Sequence, residues 1–325
     1  MPLEQPQLRL SIGGVPVPGA VSLEIESVAY FAADRFRIGF AIGAAPFTTT
    51  AYFAALGMQT ITIEAALSGF GFAMLLTGQI DNIQIDFLTN TATLAGRDLS
   101  AGLIDTEITE TFVNQTASQI ATTIAARHQL TANVTDTATP VGQYYELDHA
   151  RSALGLNSRV MTEWNLLVAL AQAEGFMLSV VGTTLNFGPQ PQNTPVFVTP
   201  QNFIDLTFDI ATGLPSSATV KSWNSRNKAV VSEMQGTGTG TTIIRPNLTA
   251  AQAQAIAANH LTTLGAHGTI LIGKMPADVM LTPGMQLVLA GTDSPLDQTY
   301  TVKTISRTLQ ARSGFIQTIR ASAAN

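Results

Sequence analysis

The chain of 325 residues contains no cysteine, which excludes disulfides and thiolate metal sites. Only 12% of its residues are charged, about half of the roughly 25% that is usual for a soluble domain. Hydrophobic residues make up 46%, and the mean hydropathy is +0.24. A soluble monomer needs a charged surface. The low charge therefore favours a chain that buries much of its surface against other subunits, and a Thr-rich globular protein is the plainer alternative.

Cations are scarce and dispersed. The chain has 16 Lys and Arg against 22 Asp and Glu, a net charge of −6, and no run of Lys or Arg. Binding to nucleic acid needs clustered cations that displace phosphate counterions. The most apolar stretch, residues 65–76, is too short to span a bilayer, and the N-terminus lacks the order of a signal peptide. We therefore expect a soluble protein, made without an export signal, with no specific nucleic-acid binding and no membrane contact.

Short alternations of apolar and polar residues dominate the first hundred positions. They occur at residues 8–12, 21–25, 36–42, 61–63 and 83–85, and turn-forming residues separate them. A period of two over a short run indicates a half-buried strand. Several such strands within about 95 residues predict a small barrel or sandwich.

The middle of the chain changes to helical patterns. A capping box at residues 116–119 predicts a helix that fades near residue 128. A second helix is predicted over residues 162–174 and ends at Gly175, which suits a left-handed terminator. Residues 176–187 are typical of a hairpin attached to that helix, and the Pro-rich residues 188–195 of a linker.

The last third returns to strands. A helix with a second capping box at residues 249–252 interrupts them and is predicted to end at Gly265. The order β, then α/β, then β with a helical excursion predicts a mainly β protein with an α+β insert. Strand patterns fall at residues 203–208, 220–223, 270–272, 286–290, 300–305 and 315–319.

Few residue patterns indicate chemistry. The glycine run at residues 236–242 has no lysine after it, so we interpret it as a mobile loop between strands and not as a phosphate-binding loop. No histidine belongs to a close ligand pair, so we predict surface or helix histidines and no metal site or cofactor. The four histidines are His128, His149, His260 and His267.

Paired carboxylates keep one enzymatic hypothesis open. Asp98 with Asp105, or Asp205 with Asp209, could flank a glycosidic bond as acid and as nucleophile or base. The even spacing of the second pair on a strand is equally explained by one solvent-facing surface. A tail-associated carbohydrate-active enzyme or glycan-binding module stays the alternative to a structural protein.

Motifs in a fixed order carry a resemblance over nearly the whole chain. The segment of residues 93–105, with Gly96, Arg97, Asp98 and Asp105, resembles the junction after the first barrel of phage baseplate hub proteins, the late control protein D family. The chain is also similar to the hub portion of type VI secretion spike proteins. Matching segments follow at residues 163–176 with Trp164 and Gly175, 184–189, 218–224 with Trp223, 281–285 with Pro283 and Gly284, and 298–302 with Tyr300.

The resemblance implies two tube-like β-barrel domains, at residues 1–97 and 201–325, that flank an α/β insert at 98–200. A helical excursion at about 245–267 interrupts the second barrel. It also implies a structural hub without catalytic residues. Three chains would form a ring with pseudo-sixfold symmetry, which joins a hexameric tail tube to a central spike and lets DNA or cargo pass.

The implied partners are a tail tube or distal tail ring protein above, a separate spike below, a tape-measure protein and baseplate wedge proteins. The implied location is the baseplate of a virion tail or contractile injection system, assembled in the host cytoplasm. The motif residues have structural interpretations. We expect Gly96 to allow a tight exit from the barrel and Arg97 to pair with Asp98 or Asp105. Trp164 would cover the insert, and residues 283–284 would form a turn.

Overall fold

The computed structural model describes residues 6–43, 48–66, 71–108, 110, 112, 114–138, 140–141, 161–224, 228–245, 248–266, 268–310 and 314–324. The first part forms β1 (Gln7–Ile12), β2 (Val15–Pro16), β3 (Ala20–Val28), β4 (Arg35–Ala41), α1 (Thr50–Ala55), β5 (Thr60–Ala66), β6 (Ala73–Asp86) and β7 (Thr91–Asp98). The middle forms α2 (Ala101–Asp105), β8 (Gln115–Thr116), α3 (Ala117–Arg127), β9 (Thr131–Val134), β10 (Pro140–Val141), α4 (Glu163–Glu174), β11 (Met177–Val181) and β12 (Thr184–Gly188).

The last part begins with β13 (Val196–Val198), a 3-10 turn (Pro200–Asn202) and β14 (Asp205–Ile210). It continues with β15 (Ser217–Asn224), β16 (Ala229–Gly236), β17 (Gly240–Ile244) and α5 (Ala250–Ala266). It ends with β18 (Thr269–Pro276), β19 (Gln286–Leu289), β20 (Thr299–Gln310) and β21 (Gly314–Ala323). The prediction of a mainly β protein with a helix-containing insert is confirmed.

One continuous 13-stranded sheet connects the two ends of the chain. Its order is β14-β18-β21-β20-β3-β4-β7-β6-β5-β1-β2, with β19 also paired to β20 and β13 to β19. We call β1–β7 the first strand set, and β13, β14 and β18–β21 the second. They meet where β3 pairs antiparallel with β20. The strand patterns predicted each set but not this seam, because alternation does not identify the partner of a strand.

Each strand set has its own apolar core. In β4, Phe36, Ile38 and Phe40 are buried while the alternate positions face outward, so one face of the first set closes on a hydrophobic cluster. In the second set, Tyr300 and Ile319 are fully buried in a separate cluster. The chain therefore contains two packed strand units within one sheet.

The insert is an independent α/β layer. The hairpin β11–β12, extended by parallel β9, packs its apolar face on α3 and α4. Thr116 and Gln119 form the predicted capping box, and Gly175 ends α4 with φ of +72°. Both predicted helices and the hairpin are confirmed.

A smaller unit, the satellite module, lies between β14 and β18 in sequence at residues 211–268. Strands β15–β17 form a separate sheet in the order β16-β15-β17, and α5 packs on one face of it. By resemblance, residues 218–224 match the strand that opens the second barrel, whereas β15 lies in this separate sheet. The predicted helical excursion at about 245–267 is therefore one part of a larger unit, the satellite module. Gly265 lies inside α5, which extends to Ala266.

No helix in the described part of the chain is long and apolar enough to cross a membrane.

Candidate functional site at the junction of sheet and insert

The predicted junction begins at Gly96, which lies inside β7. A Cβ atom at this position would come within 1.9 Å of the Gln79 carbonyl oxygen and 2.7 Å of Cζ of Phe36. Real Cβ atoms do not approach that closely, so only glycine lets β6, β7 and the Phe36 ring pack here. Gly96 therefore allows close packing within the sheet, where we had expected a tight exit from it.

Arg97 connects the end of the sheet to the insert. Its Nε donates to Asp81 Oδ2 at 2.7 Å, and its Nη2 donates to Asp105 Oδ2 at 2.7 Å. The guanidinium lowers the pKa of the Asp105 carboxyl. The predicted contact of Arg97 with Asp105 is confirmed. The second hydrogen-bond partner of Arg97 is Asp81 and not Asp98. Asp81 lies at a bulge between β6 and β7, for which the sequence carries no signal.

Asp98 is buried and, unlike Asp105, accepts hydrogen bonds from Asp34 and Ser100. Its Oδ2 accepts from the Asp34 backbone N–H at 3.0 Å, and its Oδ1 accepts from the N–H and hydroxyl of Ser100. The Asp98 N–H in turn donates to the Asp34 carbonyl at 2.9 Å. Burial raises the pKa of the Asp98 carboxyl. These bonds tie the loop before β4 to the start of the insert.

Asp34 is a functional candidate that the sequence analysis missed. Its Oδ1 accepts from the Val28 N–H at 2.8 Å, and burial, with the neighbouring Asp98 charge, raises its pKa to about 7. Asp34 follows a short Ala-rich loop, and no spacing in the sequence connects it with Asp98, 64 residues later. Only the pairing of β4 with β7 brings the two together.

Arg307 lies on the seam between the two strand sets. It is 3% exposed, and its Nη2 donates to the carbonyls of Asp278, at 3.1 Å, and Leu281. Burial lowers its pKa to about 10 despite the charges of Asp278 and Asp34. Its cross-strand neighbours are Ile25 on β3 and Gln317 on β21. The buried Arg307 guanidinium therefore holds in place the loop after β18, which covers the seam.

These groups border a cleft of about 670 Å³ where the sheet, the insert and the loop after β18 meet. Asp34, Asp98 and Arg307 line its sheet side, and the outer face of the insert hairpin lines the other. Every carboxylate oxygen of Asp98 is engaged in holding backbone. The side chains that border the cleft therefore join the main sheet, the insert and the loop after β18.

The insert holds a second buried charge that sequence reasoning missed. Glu163 is fully buried at the start of α4 and pairs with Arg127 and His128 from the end of α3. Arg127 also reaches the exposed Glu110. This ion pair network joins the two helices. The sequence predicted a helix that starts near Thr162, but not that Glu163 would pair with Arg127, 36 residues away.

The remaining motif residues are dispersed. Trp164 is 5% exposed in the insert core, as predicted, whereas Trp223 is 54% exposed on the satellite module. The hydroxyl of Tyr300 donates to the Leu296 carbonyl at 2.9 Å within the second core. Gly284 lies in the predicted turn with φ of +89°, and a Cβ there would reach Tyr30 Oη at 2.5 Å. Trp164, Tyr300 and Gly284 support local packing, whereas Trp223 is exposed.

In the first carboxylate pair of the enzymatic alternative, both groups are engaged in hydrogen bonds. Asp98 is buried against backbone donors, while Arg97 holds Asp105. Asp205 and Asp209 are exposed on β14. Within the described residues, no three His, Asp or Glu side chains lie close enough to hold a metal ion. His149 and His267 fall outside the described residues.

Comparison with known proteins identifies the fold. No family model matches the sequence, and no curated protein matches it. Among solved structures, the tail protein from Neisseria meningitidis MC58 shares 15% identity over 98% of this chain and 96% of that one, with a TM-score of 0.74. The chain has a phage tail hub-like fold. The 43 kDa tail protein of prophage MuSo2 from Shewanella oneidensis matches at 16% identity, 97% of both chains and TM-score 0.73.

The hub-like fold extends to secretion machinery. The E. coli c3393 protein, a component of the type VI secretion system with structural similarity to the T4 tail proteins gp27 and gp5, matches 97% of this chain and 77% of its own length. The identity is 13% and the TM-score is 0.60. The likeness covers both strand sets and the insert, so the resemblance in the sequence is confirmed at the level of fold.

Proposed function

We propose that this chain is the structural hub of a phage-like tail, without catalytic activity. The observation that carries the proposal is the match to the Neisseria tail protein over almost the full length of both chains. A fold shared end to end leaves no separate domain in the matched part for a different task. The engaged carboxylates at the junction support a packing role for its charged residues.

In the proposed assembly, three copies form a ring with pseudo-sixfold symmetry. Each chain contributes two strand sets, each with its own core, and we assign them to two tube-like barrels at residues 1–97 and 201–325. Six strand units would then continue a hexameric tube. The charged fraction of 12% suits a chain whose flanks are covered by neighbours.

The proposed partners follow from that position. A tail tube or distal tail ring protein contacts the ring from above, and a spike protein attaches below. A tape-measure protein and baseplate wedge proteins complete the set. Two structural neighbours are complexes of PdpA with VgrG from Francisella, matched at TM-scores of 0.61 and 0.57. The proposed location is the baseplate of the virion tail, assembled in the host cytoplasm, with DNA or cargo passing through the ring.

Negative-stain electron microscopy of the purified chain tests the ring. We expect face-on averages with a central opening, threefold symmetry and six lobes. Compact particles without an opening, at concentrations where the chain is fully associated, would contradict the proposed architecture. Adding the cognate spike protein is expected to fill one end of the opening in side views.

A further inference from the structure

The satellite module presents an apolar face that the described residues of its own chain leave uncovered. Helix α5 covers one face of the β15–β17 sheet, where Ala218 and Val220 are fully buried. The opposite face carries large side chains that are more than half exposed. They are Trp223 (54%), Val230 (66%), Met234 (60%) and Ile244 (79%), and we call this set the module face.

Strand register places these side chains together. Trp223 is directly opposite Val230 on β16, and Lys221 is paired with Ile244 on β17. Paired residues in neighbouring strands point to the same side of the sheet. Because α5 also touches β18 and β21, it lies between the module sheet and the main sheet. The module face therefore points away from the body of its own chain.

The module is cationic within an acidic protein. Residues 211–268 contain four of the 16 cations and one of the 22 acidic residues, a net charge of +3. The rest of the chain then carries −9. On this side of the described strand residues of β15–β17, Lys221 is the one charged side chain, so the strands do not present the clustered cations that a phosphate backbone requires. Its large apolar side chains suit a protein surface, and the positive charge of the module suits an acidic one.

Strand β14 of another copy has the matching properties. It is a terminal strand of the main sheet, so one of its edges presents unpaired backbone groups. Asp205 and Asp209 are exposed on one side of it, and the half-buried Ile270 and Ile272 of the paired β18 point to the same side. Asp205 is opposite Lys274, whereas Asp209 is opposite the apolar Ile270. Asp209 is thus the acid without a cross-strand cation.

We propose that the module face of one copy docks on the β14 edge of the next copy, with Lys221 against Asp209. A ring requires two different, complementary surfaces on each subunit, which these two surfaces provide. The inference rests on the proposed trimer and names its contact. It also gives the exposed Asp209 a role in assembly.

Photo-cross-linking tests the contact directly. Trp223→p-benzoyl-L-phenylalanine is irradiated in the full chain, and Leu88→p-benzoyl-L-phenylalanine, on the exposed turn after β6, is the matched control. We expect covalent oligomers from the first variant only, with the cross-linked peptide spanning residues 204–210. A cross-link elsewhere on a second copy, or to an added DNA oligonucleotide, would overturn the proposal.

A charge swap tests the proposed contact separately from the proposed trimer. Lys221→Asp and Asp209→Lys are each expected to lower the trimer fraction in sedimentation velocity by at least threefold at low salt, and the double variant to restore it. If the wild-type chain is trimeric and neither variant changes its trimer fraction, the contact is wrong and the proposed function stands. A wild-type chain that never associates contradicts both.

Discussion

Arg97 and Asp105 face each other across the end of β7 and the end of α2, joined by hydrogen bonds of 3.0 Å from Nη1 to Oδ1 and 2.7 Å from Nη2 to Oδ2. The same guanidinium binds Asp81 on β6. One side chain on β7 therefore links β6 to α2 at the point where the insert leaves the sheet. Because Asp105 is 60% exposed, water screens much of this interaction.

A double-mutant cycle measures the strength of the Arg97 contact. For Arg97→Ala and Asp105→Ala we expect a coupling free energy of about 0.5 kcal/mol in urea unfolding, typical of a screened bidentate pair. Raising the ionic strength to about 1 M shortens the screening length to about 3 Å and should reduce the coupling. A coupling of zero at low salt would contradict the pairing.

Gly96 is expected to tolerate no side chain. Gly96→Ala places a methyl group against the Gln79 carbonyl and the Phe36 ring, so β6 and β7 must separate. We expect a loss of about 3 kcal/mol in the free energy of unfolding. Gly71→Ala is the control, since a Cβ there meets nothing within 4 Å, and should change stability by less than about 0.5 kcal/mol. Equal effects of the two substitutions would refute the close approach.

Asp34 makes stability depend on pH. Its folded pKa of about 7 lies above the ordinary value, so the folded state holds this proton more tightly than the unfolded state does. Its contribution is present below about pH 4 and is lost as pH rises towards 7. Asp34→Asn keeps an oxygen for the Val28 N–H and removes the titration.

The stability difference between Asp34→Asn and wild type should therefore shift in favour of the variant by roughly 2.5 kcal/mol from pH 5 to pH 8. Urea unfolding at several pH values measures it. Asp86→Asn, at the end of β6, is the control: hydrogen bonds from Thr89 and Leu88 lower the pKa of the Asp86 carboxyl, so its difference from wild type should stay nearly constant from pH 5 to pH 8. A difference that moves the other way would show that Asp34 is stabilised as a carboxylate.

Glu163 is expected to hold the two insert helices together. Glu163→Gln leaves Arg127 and His128 without their buried partner, so we expect a loss of about 2 kcal/mol in the free energy of unfolding. Glu110→Gln removes the exposed partner of the same Arg127 and should cost less than about 0.5 kcal/mol. Thermal unfolding of the two variants side by side decides whether burial makes the difference.

Local signals in the sequence predicted local structure well. The capping box at Thr116 and the terminator Gly175 depend on residues within one turn of each other, so their spacing suffices. The alternation in residues 218–224 predicted a strand correctly, yet did not show that β15 joins the module sheet. The pattern of a strand shows which side chains point to the same face, but it does not identify the neighbouring strand.

The candidate site was predictable only in part. Arg97 and Asp105 lie eight residues apart, and the sequence analysis gave Asp105 as one of two possible partners of Arg97. Asp34 meets Asp98 through strand pairing over 64 residues. Arg307 was missed for the same reason, since its burial depends on β3, β21 and the loop after β18 meeting at one seam. Long-range contacts of this kind depend on the complete sheet.

The mass of the purified chain in solution tests the proposed hub most directly. Light scattering on a sizing column should give about three times the chain mass of 34.3 kDa, with the trimer fraction rising with protein concentration. A trimer supports the ring of six strand units. A mass equal to one chain at every concentration would contradict a hub that assembles by itself.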